Sequence, residues 1–150
     1  MKRSPMKRST KPMLRRKPMG KGKKAEAREM AVHAAKAHYF GTRIIGVCQI
    51  SGLEISQGWC VAHHLTPRAE MRKAGVENLD ATFRLIILHP HVHIWLHRGQ
   101  NSMGRPRDLY GLQRFMSVEQ SGANAFNKKM VVLPEPYATD LKLFLERHRC

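Results

Sequence analysis

"HPHVHIWLHRG", residues 89–99, holds four histidines within nine positions. His89, His93 and His97 recur every four residues, so on an α-helix they line one face about a turn apart, with His91 off that face. Each imidazole carries two ring nitrogens that need partners, and histidine is a mediocre helix former, so such a ladder suits plain packing badly. It suits a divalent metal well. The stretch therefore predicts a helix over 89–97, ended by Arg98 and Gly99, with nitrogen donors along one side.

Thirty residues upstream, "CVAHHLTPR" places His63 and His64 side by side at the end of a strand predicted over 59–64. A strand sends neighbours to opposite faces, so both can serve one site only where the strand is ending. One of them joined to His93 and His97 gives three nitrogens from two elements. Three protein ligands with one position left open is the pattern of a catalytic metal site, in contrast to the closed four-ligand structural one.

A histidine pair at a strand end, a loop, then HxxxH closing a helix before "RG" resembles the HNH nuclease motif on its ββα-metal fold. "HHLTP" with "HIWLHRG" is most similar to the version in colicin-type bacterial DNases. The likeness spans about residues 47–99. It implies an α+β fold, a small ββα core with flanking helices, in which His63, His93 and His97 hold one divalent ion, whether Mg²⁺, Mn²⁺, Ni²⁺ or Zn²⁺. It further implies that His64 is the general base for hydrolysis of phosphodiester bonds in DNA. Such a base needs a neutral imidazole with a pKa near the working pH.

In the family a middle asparagine lies nine residues before the first helix histidine. Here that position is Arg84, and the nearest asparagine, Asn78, stands fifteen before. Either is a candidate for bracing the loop and orienting the base. Arg68, four after His64, is a candidate phosphate clamp through its fork of donors, or else a solvated loop residue. Many family members carry two CxxC pairs around a structural zinc. Cys48 occupies the first position, but Ser51 stands where its partner would be, and His89 and Val92 replace the later pair. At most two of four ligands remain, so no second zinc is expected. His89 and His91 read as helix-entry, DNA-facing or supporting residues. Trp59 and Trp95 read as core, with Trp95 pinning the helix to the strands.

The rest of the chain fits around this motif. Residues 1–24 contain 11 Lys/Arg and no acid, with "MKRS" and "KPM" each occurring twice. Such a segment cannot bury a core and is expected to be a disordered basic arm, a tether to phosphates or merely a solubilising tail. The formal charge is +16 overall, yet residues 25–150 hold 16 basic against 11 acidic residues, so most of the excess sits on the arm. That excess points to a polyanionic partner, nucleic acid first. No apolar run approaches the roughly 20 residues of a membrane span, and no secretory signal is legible, so no membrane partner is expected. Cys48, Cys60 and Cys150 lack CxxC spacing and suit a reducing cytoplasm. The compact basic chain resembles phage or mobile-element nucleases in style, which would place it in a bacterial host cell.

The expected organisation is therefore the arm and then one HNH nuclease domain over 25–150, with a helical extension over 100–150. Within it the sequence predicts a helix over 25–40 with His33 and His38 as ordinary residues, and a strand over 43–50. A loop with about one helical turn follows over 65–80, then a strand or approach segment at "RLIIL". One helix is expected within 101–120, and a last amphipathic one with Leu141, Leu143, Phe144 and Leu145 on its buried side. The competing reading is a non-catalytic DNA- or RNA-binding module whose histidines hold a structural metal.

Overall fold

Helix α1, Lys23–Phe40, is Ala-rich and free of breakers, and begins two residues before its expected start. It ends where Gly41 takes φ 58, a left-handed conformation that glycine adopts without strain, and the Gly41 N–H bonds the Ala37 carbonyl at 2.8 Å. The computed structural model describes residues 22–64, 66–79, 81–106 and 122–148. Most of the basic arm, Cys150 and most of the helix expected within 101–120 lie outside the described residues.

The strand expected over 43–50 is shorter. β1, Ile45–Val47, pairs antiparallel with β2, Glu54–Ser56, a partner the sequence did not suggest. The chain leaves the strand at Cys48 because Gln49 bonds elsewhere, and Gly52 at φ 72 turns it back. β3, Val61–His64, pairs antiparallel with β4, Leu85–Leu88, in the register Val61↔Leu88, His63↔Ile86 and His64↔Leu85. Between them lie the short helix α2, Arg68–Lys73, and a 3₁₀ turn, Thr82–Arg84.

β4 runs almost directly into α3, Pro90–His97. The expected helix over 89–97 loses its first residue for a physical reason: His89 is the N-cap, its Nδ1 accepting the His91 N–H at 3.2 Å, and Pro90 occupies the first helical position, where its missing donor does no harm. β3, β4 and α3 make the ββα unit implied by the motif. The last helix, α4, is Tyr137–Arg147.

One core joins these elements. Ala35, Tyr39 and Phe40 of α1, all of β4, Val92, Trp95 and Leu96 of α3, and Leu141 and Phe144 of α4 are buried in it. Leu145 packs partly, but Leu143 lies on the exposed side of α4, contrary to expectation, because it does not share the face of Leu141 and Phe144. Trp59 is also a correction: it is 53% exposed and lies outside the core, since it precedes β3 in a turn with its N–H on the Ser56 carbonyl.

Two polar residues tie the core to the C-terminal part. Gln49, fully buried, donates from Nε2 to the carbonyls of Asn124 (3.0 Å) and Lys129 (2.9 Å) and accepts the Ile87 N–H at 2.7 Å. It thereby fastens the segment around 124–131 beside β4. Asp140 of α4 accepts the Trp95 Nε1–H at 2.9 Å and the Ser102 N–H at 2.6 Å. Trp95 thus pins α3 to α4 through its polar edge as well as to the core through its rings. Among the described residues no helix is long and apolar enough to cross a membrane.

Candidate metal centre

The wholly buried β4 fixes the position of β3, and β3 in turn fixes His63. α3 packs across β3 with His93 and His97 one turn apart on the facing side. The ring of His63 lies 5.4 Å from that of His93 and 5.3 Å from that of His97, and the two helix rings are 4.6 Å apart. One ring nitrogen from each of the three lies within 4.8 Å of the others.

Electrostatics hold these rings ready. The His63 pKa is pushed down to about 3, chiefly because burial penalises the imidazolium and then because His93, His97 and His64 would repel its charge. Burial also lowers the His93 pKa, with His97 adding to the effect. At neutral pH His63 is therefore uncharged with a lone pair available, the state in which imidazole binds a metal. Three imidazole nitrogens converging without a carboxylate among them fit a divalent ion that accepts imidazole ligands.

The remaining predicted residues spread around this triad. His64 is the last residue of β3, half-buried, outside the triad but close enough for its charge to act on His63. Arg68 is the first residue of α2 and is half-buried. Arg84 closes the 3₁₀ turn immediately before Leu85, the register partner of His64. Its Nη1 points to the Met71 Sδ at 3.9 Å, and its guanidinium sits 4.8 Å from the Phe83 ring centre. Its Nε is shielded from solvent without a hydrogen-bond partner among the described residues. Asn78 is exposed and lines a cleft with Ala31, His38, Phe83 and Phe126, a cleft to which none of His63, His64, His93 and His97 contributes. The topology therefore puts Arg84 at the strand end that carries His64.

His89 and His91 do not join the triad. His89 is buried under Trp59, the rings 4.5 Å apart, and its pKa falls through burial and then through His91. The "HP" step was the available signal for this cap, since proline favours the first helical position. Of the histidines in α1, His33 is exposed, and exposed His38 lies against Phe126 at 4.1 Å.

Residues 48–102 match a family described as HNH endonuclease. No curated protein and no solved structure matches the chain significantly. The matched span contains the β3 and β4 pair, α3 and all three converging histidines, so the segment that builds this centre, residues 48–102, is the part of the chain that is similar to the HNH endonuclease family.

Proposed function

We propose that the protein is a metal-dependent endonuclease that hydrolyses phosphodiester bonds in DNA, with His63, His93 and His97 holding one divalent ion and His64 acting as general base. The observation that supports this best is the convergence of three histidines from β3 and α3, with a fourth imidazole beside them, inside a span that matches an endonuclease family. When bound, the ion would polarise the scissile phosphate and offset the charge that develops on the leaving oxygen. His64, at the end of its strand, takes the proton of the attacking water on a neutral ring nitrogen. Arg68 contributes its fork of donors to a phosphate oxygen, and Arg84, in the place of the middle asparagine, braces the strand end that carries His64. Asn78 would serve only if its loop moved.

The donor set favours Zn²⁺ or Ni²⁺ over Mn²⁺ and Mg²⁺, because the latter two prefer oxygen ligands and the triad offers none. The charge of +16 draws in a polyanion, with residues 1–24 as its tether and 25–150 as the nuclease domain. Buried, unpaired Cys48 and Cys60 suit a reducing cytoplasm.

The test is incubation of the purified protein with supercoiled and single-stranded DNA, with and without EDTA, across the four ions. EDTA-sensitive cleavage is expected, and His64→Ala should abolish it while fold and metal binding persist. If His64→Ala is silent and His93→Ala unfolds the domain, the metal is structural and the chain a binding module.

A further inference from the structure

Arg84 stands where the motif keeps a neutral asparagine, and its surroundings are unlike those of a solvated arginine. It closes the 3₁₀ turn before β4 and is half-buried. Its guanidinium sits 4.8 Å from the centre of the Phe83 ring, a contact that orients the plane, and Nη1 points to the Met71 Sδ at 3.9 Å. An aromatic ring and a thioether hold the group without neutralising it, since neither is anionic and sulfur is a weak acceptor. Nε is shielded from water and has no hydrogen-bond partner among the described residues. Nη2 likewise has none there but is not shielded, so an anion can reach the fork from that side. A partly shielded cationic donor without an acceptor costs stability, and an arriving anion offsets that cost.

The fold also sets this guanidinium beside the candidate base. Leu85, the next residue along the chain, is the register partner of His64. Paired Cα atoms lie about 5 Å apart and consecutive ones about 3.8 Å, so the Arg84 Cα is within about 9 Å of the His64 Cα. Met71, which Nη1 meets, stands one turn after Arg68 on the same face of α2, so Arg84 comes to the helix face that also carries the candidate phosphate clamp. Resting on the endonuclease reading above, and beyond the bracing role given there, we infer that Arg84 binds a backbone phosphate of the DNA, next to the one that is cut.

A phosphate contact and a brace leave different marks. The full-length protein, without added divalent ions, is titrated with two duplexes of unrelated sequence over a range of salt concentrations, alongside Arg84→Asn, Arg84→Gln and Arg84→Lys. Loss of one phosphate contact should lower the slope of log K against log salt by about 0.9 in the Asn and Gln proteins. Affinity at 0.1 M salt should fall about eight-fold, the share that such a slope carries between 1 M and 0.1 M. The fall should be the same on both duplexes, because a phosphate carries no base information. Arg84→Lys keeps the charge and should keep the slope, although a point charge replaces the fork. An unchanged slope in an Asn or Gln protein of native melting temperature overturns the inference and leaves bracing as the whole role of the residue. A slope lost as fully in Arg84→Lys traces the effect to the fold instead of the charge and also overturns it. These readings need no cleavage, so their failure leaves the endonuclease reading standing, and loss of that reading shows instead as absent EDTA-sensitive cleavage by the unsubstituted protein.

Discussion

His63 shows how one buried residue can couple the fold to pH. Its imidazole titrates near 6.5 in an unfolded chain and near 3 in the folded one. Between those values the unfolded state binds more protons, so the stabilisation from a neutral His63 is fully present above about pH 6.5 and is lost progressively as the pH falls towards 3. The melting temperature of metal-free protein should therefore fall from about pH 7 to about pH 4.5, and His63→Gln should flatten that slope; an equally steep slope in the variant would assign the effect to other groups. Gln49 makes a second prediction at this scale. Gln49→Leu removes the acceptor of the Ile87 N–H and the Gln49 donors to the Lys129 and Asn124 carbonyls, of which Asn124 keeps the Lys128 N–H, and urea unfolding should show a loss of roughly 2–4 kcal/mol. The histidine ladder and the adjacent pair were legible because period and adjacency are properties of the sequence itself. The exposure of Trp59 and the role of Gln49 were not, because each depends on what distant chain segments lie beside it.

At the scale of elements, α1, β4 and α3 were readable to within a residue or two, since each carries a long apolar or periodic signal bounded by a glycine or proline. β2 was not, because Glu54–Ser56 has a single buried residue, Ile55, and no alternation long enough to register. The docking of α4 was equally hidden. Its amphipathic face predicted burial but not a partner, and the partner is set by the Asp140 carboxylate that receives Trp95 and Ser102. Removing that carboxylate leaves an indole N–H and a backbone N–H without their acceptor. Asp140→Ala should therefore destabilise the fold by about 1.5–3 kcal/mol, the range for hydrogen bonds to a charged group. Hydrogen exchange should then accelerate in α4 more than in α3, whose contacts to β3 do not involve Asp140. Equal acceleration in both helices would mean that α3 owes its position to α4, and metal affinity would then fall with it.

For the whole molecule the decisive quantity is how its charge is distributed. The formal excess of +16 divides unequally, with 11 of the 27 basic residues in 1–24 and an excess of 16 basic over 11 acidic residues in the remainder, while His63 at the centre is held uncharged by its burial. Long-range attraction to DNA and local chemistry are thereby assigned to different parts of the chain, so they should be separable. Each phosphate neutralised on duplex DNA contributes roughly 0.9 to the slope of log K against log salt. Deleting residues 1–21, which leaves α1 whole, should weaken duplex binding and lower that slope by several units if most of the lost cations touch phosphates. Cleavage at saturating protein should then change little, because His63, His64, His93 and His97 are all retained. An unchanged salt slope would show that the arm does not meet DNA, whereas a slope that falls together with the saturated cleavage rate would show that the arm also positions the strand over the histidines.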